Sequence, residues 1–400
     1  MDIRTTLEEL ETPIETPEPP EHGIVNRRDY RPPDWLVPEI ALDFDLDPER
    51  TLVRAVLAVE RNGAHDRTLR LHGDGLELIR VAVDVSPLAQ TRAGTARHVR
   101  GLLGALAGRE GIEVAPRSFG GSGRAASVAR DTWWYYVGLP RAARGLDLLH
   151  CTTFRGPLRA PVPFAVTLHD LALVRHPELF PRWHRLSGRA GIGPVARAAD
   201  HVLAVSAFTK REAVELLSVP EERITVIGNA VEPVFSPEGP ATPGDYVLAV
   251  GTLEPRKNLR RVADAAARLG AELRVVGARG WGGVETPGWA GEVADEELAA
   301  LYRGARALVF PSLYEGFGIP VLEAMACGTP VVTSRGGATE EVAGGAAVLV
   351  DPLDVAAIAA GIEEAASRRD GLRALGLERA RAYSWGEVAD RVESVWRELT

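Results

Sequence analysis

From Ile79 onward, short apolar runs alternate with segments of helical periodicity, and this alternation leaves few folds open to the chain. The run IRVAVDV (79–85) predicts a buried strand, and GTARHVRGLLGAL (94–106) follows it with apolar residues three and four positions apart. Further buried strands are predicted at 146–150, 164–168 and 201–205. Strands that alternate with helices predict an α/β fold built on a doubly wound parallel sheet.

A second series of the same kind begins near Tyr246. It predicts strands at 246–251, 273–277, 307–310 and 330–334, with helices between them. The intervening segment EPVFSPEGPATPG (232–244) is rich in proline and glycine, which is typical of a linker. We therefore predict two Rossmann-like domains that face a cleft, at residues 79–235 and 245–383.

The first 78 residues differ from the rest of the chain. Residues 11–20 (ETPIETPEPP) are predicted to be disordered, whereas residues 30–77 alternate in a strand-like way. The run RRDYRPPDWLVPEIALDFDLDPE carries a resemblance of about residues 20–78 to the opening strands of aminopeptidase N-type zinc peptidases. Peptidase activity is not expected, because none of the nine histidines lies in an HExxH motif. We predict an appended segment, strand-rich or disordered, over residues 1–78.

Charge and composition exclude several function classes. A net charge of −9 gives no overall positive field for nucleic acid. No apolar run approaches the roughly 18 residues that span a bilayer, and the amino terminus MDIRTTLEELE is acidic, unlike a secretory signal. Neither Cys151 nor Cys327 lies in a metal-binding pattern. We expect a cytoplasmic protein without nucleic-acid partners.

The segment ALVFPSLYEGFGIPVLEAMAC (307–327) contains the most informative local pattern. A buried strand ends at Pro311, and PVLEAMAC (320–327) is predicted as a helix with proline in its first turn. Gly316 and Gly318 allow the backbone to approach a ligand closely, and N–H groups at the start of a helix favour an anion. The sequence thus predicts a site for a phosphate-bearing ligand.

Two carboxylates flank this loop. Glu315 precedes the glycines and Glu323 lies on the helix, at a spacing that corresponds to roughly 12 Å in continuous helix. A ligand with a sugar and a ribose at the two ends of a diphosphate can offer hydroxyl groups to both carboxylates. The alternative is an ordinary helix entry with one solvent-exposed and one capping glutamate.

The run EGFGIPVLEAMACGTPVV resembles the signature of the retaining nucleotide-sugar glycosyltransferases of family 4, which have the GT-B fold. Glu315 and Glu323 match the two glutamates of that signature. Further segments resemble consecutive blocks of the family in the same order: VTLHDL (166–171), VSAFTKREAVELLSVPEERI (205–224), IGNAVEPVFSP (227–237) and VGTLEPRKNL (250–259). The resemblance covers about residues 78–400, and it implies that the last helix, residues 384–400, packs back on the first domain.

The resemblance also implies site residues. The catalytic candidates are His169, beside the transferred sugar, and Glu315. The donor-binding candidates begin with Gly94, whose backbone would contact the donor across the cleft, and with Arg256 and Lys257, a cation pair for the diphosphate. The loop around the sugar would supply Gly316, Phe317, Gly318 and Ile319, and the carboxylate of Glu323 would bind the ribose.

Several of these positions keep a structural alternative. A histidine at a strand end, such as His169, is often a structural hydrogen-bonding group. Gly94 is also compatible with a plain helix entry, and Arg256 with Lys257 is compatible with a solvated helix start. Thr252 stands where many relatives have an arginine, so phosphate binding would depend more on the cation pair. Neither Rossmann-like unit contains a DxD motif between apolar residues, and we expect no metal ion or other cofactor.

The implied function is transfer of a hexose, specifically mannose from GDP-mannose, with retention of configuration. The acceptor would be a hydroxyl group of a glycan or lipid-linked molecule in envelope or exopolysaccharide synthesis, and a peripheral contact with the inner face of the membrane stays open. The aromatic run WWYY (133–136) is predicted as core, with an acceptor or membrane contact as the alternative. Two other functions stay open, a nucleotide-sugar epimerase or phosphorylase and a non-catalytic nucleotide-sugar-binding protein.

Overall fold

The computed structural model describes residues 2–7, 35–46, 51–64, 78–90, 94–120 and 124–400. The chain divides into two compact units, one from Met1–Leu78 with Gly108–Glu113 and one from Ile79–Ala107 with Val114–Thr400. The disorder predicted for residues 11–20 lies outside the described residues, as does much of the segment that resembles the peptidases.

The first unit contains a three-stranded antiparallel sheet. Its strands are β1 (Asp2–Leu7), β2 (Trp35–Leu46) and β3 (Thr51–Arg61), and β3 lies between the other two. Asp2 is opposite Ala58 in one ladder, and Leu46 is opposite Thr51 in the other. The described part of the amino-terminal segment is therefore strand-rich, as predicted.

The second unit begins with a domain built on a six-stranded sheet in the order β5-β4-β6-β7-β8-β9, in which β4 and β6 to β9 pair in parallel. Every residue of β6, β7 and β8 is buried, as expected for parallel strands covered by helices on both faces. The strands are β4 (Ile79–Asp84), β5 (Ile112–Arg117), β6 (Leu148–Cys151), β7 (Phe164–Leu168), β8 (His201–Ala204) and β9 (Ile224–Val226). The helices are α1 (Gly94–Leu106), α2 (Arg124–Ala129), a π-helix (Arg130–Gly138), α3 (Leu139–Ala142), α4 (Ala172–Arg175), α5 (Arg182–Ala198) and α6 (Ala207–Leu217).

The second domain of this unit has a five-stranded parallel sheet in the order β11-β10-β12-β13-β14. Its strands are β10 (Tyr246–Val250), β11 (Glu272–Val276), β12 (Ala307–Phe310), β13 (Val331–Ser334) and β14 (Val348–Val350). The helices are α7 (Leu259–Arg268), α8 (Asp295–Gly304), α9 (Ile319–Ala326), α10 (Gly337–Ala343), α11 (Val355–Ser367), α12 (Arg369–Arg381) and α13 (Trp385–Leu399). The two doubly wound sheets confirm the predicted α/β class.

The last helix, α13, returns to the first domain. Gly101 of α1 has no side chain, and a Cβ atom there would lie only 2.1 Å from the indole ring of Trp385. At the other end of α13, Trp396 is fully buried with its ring edge against His150. Arg391 Nη1 also donates to the carbonyl oxygen of Ile227 at 3.4 Å. The residue limits of the predicted domains stay a prediction.

The aromatic run of the π-helix is divided between core and surface. Trp134 and Tyr135 are buried, whereas Trp133 and Tyr136 are 49% and 42% exposed. The prediction of core is therefore wrong for two of the four rings, because the run covers more than one face of its helix. In the part of the chain that the structure describes, no helix has the length and apolarity to cross a membrane.

Candidate functional site

A cavity of about 770 Å³ lies between the two domains of the second unit. Its volume falls within the roughly 300–1,000 Å³ that small-molecule sites occupy. Every residue predicted for catalysis or ligand binding lines it. Gly94 and His169 come from the first domain. The others come from the second domain: Arg256, Lys257, Glu315, Gly316, Phe317, Gly318, Ile319 and Glu323.

Sheet topology explains this convergence. In each sheet the chain leaves a central strand, β4 or β10, towards one neighbour and later returns to its other side. Loops that leave the carboxyl ends of strands at such a reversal diverge, and a crevice forms between them. Gly94 follows β4 and His169 follows β7, while Lys257 follows β10 and Glu315 follows β12. Residues that follow the carboxyl ends of strands in both sheets therefore line the cavity.

Asn258 fixes the turn that carries Arg256 and Lys257. Its φ of +60° is left-handed, a conformation that asparagine adopts more readily than most residues. Its Nδ2 donates to the carbonyl oxygens of Pro311 at 3.0 Å and Pro352 at 2.6 Å. The first bond ties the turn to the end of β12, where the Glu315 loop begins, and the second ties it to the segment after β14. Asn258 is a positioning residue that the sequence reasoning did not single out, although it directly follows Lys257.

Glu315 lies at the centre of an ion cluster with both predicted cations. Lys257 Nζ donates to its Oε1 at 2.5 Å, and Arg256 Nη1 donates to its Oε2 at 2.9 Å. The Arg256 and Lys257 side chains are only 16% and 11% exposed, so the alternative of a solvated helix start is wrong. Burial acts to raise the pKa of Glu315, but the two cations outweigh burial and hold that pKa below its usual range. Glu315 stays ionised, and each cation has further N–H groups for a phosphate.

Glu323 belongs to a second ion cluster, which Arg97 of α1 reaches from the first domain. Arg97 pairs with Glu323 and with Asp295 of α8, and Tyr302 Oη donates to Glu323 Oε2 at 2.8 Å. Glu323 is 2% exposed, so the alternative of a solvent-exposed glutamate is wrong for this residue. Burial raises the pKa of Glu323, and Arg97 and Tyr302 offset only part of this effect.

Arg97 is the main site residue that the sequence reasoning misses. It lies in the turn of α1 that Gly94 opens, which places it on the cleft side of the helix, but no motif marks it. Its guanidinium group also lies 5.4 Å from the ring centre of Phe235 in the segment between the domains. Arg97 thus connects both domains and the segment that joins them.

His169 has a defined ring orientation at the end of β7. Its Nε2 donates to the carbonyl oxygen of Thr152 at 2.8 Å, and Nδ1 is therefore unprotonated in the neutral ring. Burial lowers the pKa of His169, which favours the neutral ring near pH 7. The carboxylate of Asp170 accepts from the N–H of Ala172 at 3.1 Å in the turn that follows. His169 therefore has a structural hydrogen bond and also lines the cavity.

The domains approach each other most closely at Gly316. A Cβ atom on this residue would lie 1.7 Å from the carbonyl oxygen of His169. Two residues later, Gly318 directly precedes α9 with a φ of +100°, a conformation that would strain a residue with a side chain. Gly316 is therefore required by the close contact between the domains, and Gly318 by its backbone conformation.

Among the described residues, no three or more His, Cys, Asp or Glu side chains form a group that could hold a metal ion. The predicted independence from metal ions stays a prediction.

Family comparisons match both domains. The model described as Glycosyltransferase Family 4 matches residues 92–235, and the model described as Glycosyl transferases group 1 matches residues 232–381. Neither match extends into residues 1–78. The resemblance of that segment to zinc peptidases stays a prediction.

Individual proteins are also similar to this chain, one in sequence and two in structure. O-antigen chain mannosyltransferase B of Escherichia coli is 36% identical over 265 residues, which are 58% of this chain and 70% of that protein. Sucrose-phosphate synthase from Thermosynechococcus elongatus is similar in structure, with a TM-score of 0.64, 19% identity, and coverage of 80% of this chain and 99% of its own. Anabaena HepE in complex with UDP-glucose has a TM-score of 0.61 at 17% identity, and the match covers 80% of this chain and all of HepE. At these identities the structural likeness describes the fold alone.

Proposed function

This chain belongs to the family 4 glycosyltransferases, enzymes with the GT-B fold, and from that premise we propose that it transfers mannose from GDP-mannose with retention of configuration. The proposed acceptor is a hydroxyl group of a glycan or lipid-linked molecule in polysaccharide synthesis. The choice of mannose is supported by the 36% identical mannosyltransferase. Retention is supported by the family signature around Glu315 and Glu323.

One observation carries the proposal. The two carboxylates and the cation pair that the family signature marks line one cavity, together with Gly94 and His169 of the other domain. Because these groups suit the parts of one nucleotide sugar, their convergence supports a donor site. The likeness in fold to a protein solved with UDP-glucose is consistent with a ligand of this class.

The proposed roles follow from the chemistry of each group. Glu323 accepts hydrogen bonds from the ribose hydroxyl groups, and Arg256 with Lys257 holds the diphosphate. Glu315 and the backbone of residues 316–318 hold the sugar. As the bond to the sugar breaks, negative charge grows on the diphosphate, so preorganised cations at this point lower the barrier to transfer.

Donor binding gives the first test. We expect GDP-mannose to stabilise the protein by about 2.7 kcal/mol at roughly 100 times its Kd, since a ligand that binds only the folded state adds RT ln(1 + [L]/Kd). UDP-glucose at the same concentration should raise the unfolding temperature less. The measurement is thermal unfolding with each nucleotide sugar, followed by mass spectrometry of candidate acceptors for added hexose. A larger shift with UDP-glucose contradicts the proposed donor, and an epimer or sugar phosphate formed from donor alone favours the alternative enzymes.

A second test uses the contact between the domains. Gly316→Ala is expected to lower kcat/KM about a hundredfold or more, because its methyl group collides with the backbone of His169 and displaces the loop by about 1 Å. Gly371→Ala makes the same chemical change in open space on α12 and serves as the control. The measurement is the steady-state kcat/KM of both variants. Equal activity of the two shows that transfer does not need this close approach.

A further inference from the structure

The amino terminus of α6, in the first domain, is capped by a carboxylate from the second domain. Glu341 of α10 accepts hydrogen bonds from the N–H groups of Ala207 and Phe208, both at 2.7 Å. The next N–H group, of Thr209, is bonded within its own domain by Ser206 Oγ at 3.0 Å. N–H groups at the start of a helix have no partner inside the helix and carry partial positive charge, which suits them to a carboxylate.

The same turn of α6 fixes the glycine loop of the cavity. Ser206 Oγ and Thr209 Oγ1 donate to the carbonyl oxygen of Gly316, at 2.6 and 3.0 Å. A trans peptide is planar, so the N–H group of Phe317 points in the opposite direction to that carbonyl. The first turn of α6 therefore sets the orientation of a backbone N–H group in a loop that lines the cavity.

One turn further along α6, Glu212 contacts the start of the same loop. Tyr314 Oη donates to Glu212 Oε2 at 3.3 Å, and the Tyr314 ring meets the edge of Phe208 with 5.5 Å between ring centres. Arg175 pairs with the other carboxylate oxygen of Glu212 and holds it in place. The loop from Tyr314 to Gly316 is thus docked along α6, and Glu341 secures the end of that helix.

We propose that Glu341 is a positioning residue for transfer. It does not line the cavity and acts through α6, by holding the two domains in the arrangement in which the Gly316 loop faces His169. Arg256, Lys257 and Glu323, which are proposed to hold the diphosphate and the ribose, all belong to the second domain, so these contacts do not depend on the cap. Among the predicted donor-binding residues, only Gly94 belongs to the first domain. Transfer also needs that domain, because it carries His169. The role applies to any nucleotide sugar at this site and goes beyond the proposed donor.

The expected signature is a split between kcat and KM. Glu341→Ala should lower kcat by on the order of tenfold to a hundredfold, since two charge-assisted hydrogen bonds that hold the Gly316 loop opposite His169 are lost. The KM for the donor should stay within about threefold of the original value, because most of the predicted donor contacts come from the second domain. The kcat of Glu341→Gln should lie between those of Glu341→Ala and the original protein, because the amide oxygen of glutamine accepts one N–H group without the charge. In small-angle X-ray scattering, Glu341→Ala with bound nucleotide should have a larger radius of gyration.

Glu340→Gln is the matched control, on the same turn of α10. The Glu340 carboxylate accepts from the N–H of Gly336 within its own domain, so this variant should keep the original kcat and radius of gyration. Unchanged kcat in Glu341→Ala, with or without a lower unfolding temperature, overturns the proposal. A raised KM with unchanged kcat also overturns it. Should Glu341→Ala fail to fold, Glu341→Gln is judged by the same criteria. The scattering result does not depend on knowing the transferred sugar, which separates this proposal from that of the donor.

Discussion

Lys257→Ala is expected to lose about a hundredfold in kcat, equivalent to roughly 3 kcal/mol of transition-state stabilisation, while the protein stays folded. Lys257 is one of two cations on Glu315, and its side chain is 11% exposed. Its ammonium group is therefore preorganised in a place that water reaches poorly, where a charge stabilises a developing phosphate anion more than in solution. Arg256 still pairs with Glu315 after the substitution, so the carboxylate does not become an isolated buried charge.

Lys210→Ala is the control for this prediction, because Lys210 is the only other lysine of the chain. It pairs with the exposed Glu221 at 3.4 Å, and surface pairs of this kind contribute about 0–1 kcal/mol. Both variants should unfold near the temperature of the original protein, and only Lys257→Ala should lose turnover in a steady-state assay. Equal turnover in the two variants removes Lys257 from the site.

The largest expected effect on stability is that of Arg97→Ala. Glu323 is almost completely buried, and removing one partner of a buried ion pair typically costs about 3–5 kcal/mol. We expect a decrease of about 3 kcal/mol in the free energy of unfolding near pH 7. Arg100→Ala, one turn further along α1 at an exposed position, should change it by no more than about 0.5 kcal/mol. Chemical denaturation of both variants measures the difference.

The deficit of Arg97→Ala should depend on pH. The pKa of Glu323 is raised above 4.5 in the folded protein by burial, and loss of the Arg97 charge raises it further. A raised folded-state pKa means that protonation favours the folded state, so stability falls as pH rises from about 4.5 through that pKa. The deficit should shrink in acid, and Arg97→Ala combined with Glu323→Gln should recover much of it at pH 7. If the loss in the free energy of unfolding is the same in acid as at pH 7, this account of the cluster is contradicted.

The sequence predicts those parts of the fold whose signals are local. The strands 164–168 and 201–205 agree with β7 and β8 to within a residue, since each is a continuous apolar run beside a turn. The sequence does not predict the strands β5, β9 and β14, because β5 is only partly buried and the other two have three residues each. Short or half-exposed strands depend on their neighbours in the sheet and carry little periodicity of their own.

The same distinction applies to the candidate site. The glycine loop and the Arg256–Lys257 turn have local signals, because closely spaced glycines and the change from a strand to a helix can be read from a short stretch of sequence. Arg97 and Glu341 have none, since each is an ordinary charged residue on a helix whose partner belongs to the other domain. Their contacts depend on how the two sheets face each other, which no short segment encodes. The roles of the predicted site residues stay predictions until a ligand is located.

A crystal structure of the protein with GDP-mannose tests the central claim most directly, namely that one cavity between the domains binds a single nucleotide sugar. We expect diphosphate oxygens within hydrogen-bonding distance of Arg256 and Lys257, and ribose hydroxyl groups on the Glu323 carboxylate that Arg97 pairs with in the ligand-free protein. A nucleotide bound outside this cavity, or inside it without contact to either Lys257 or Glu323, contradicts the account.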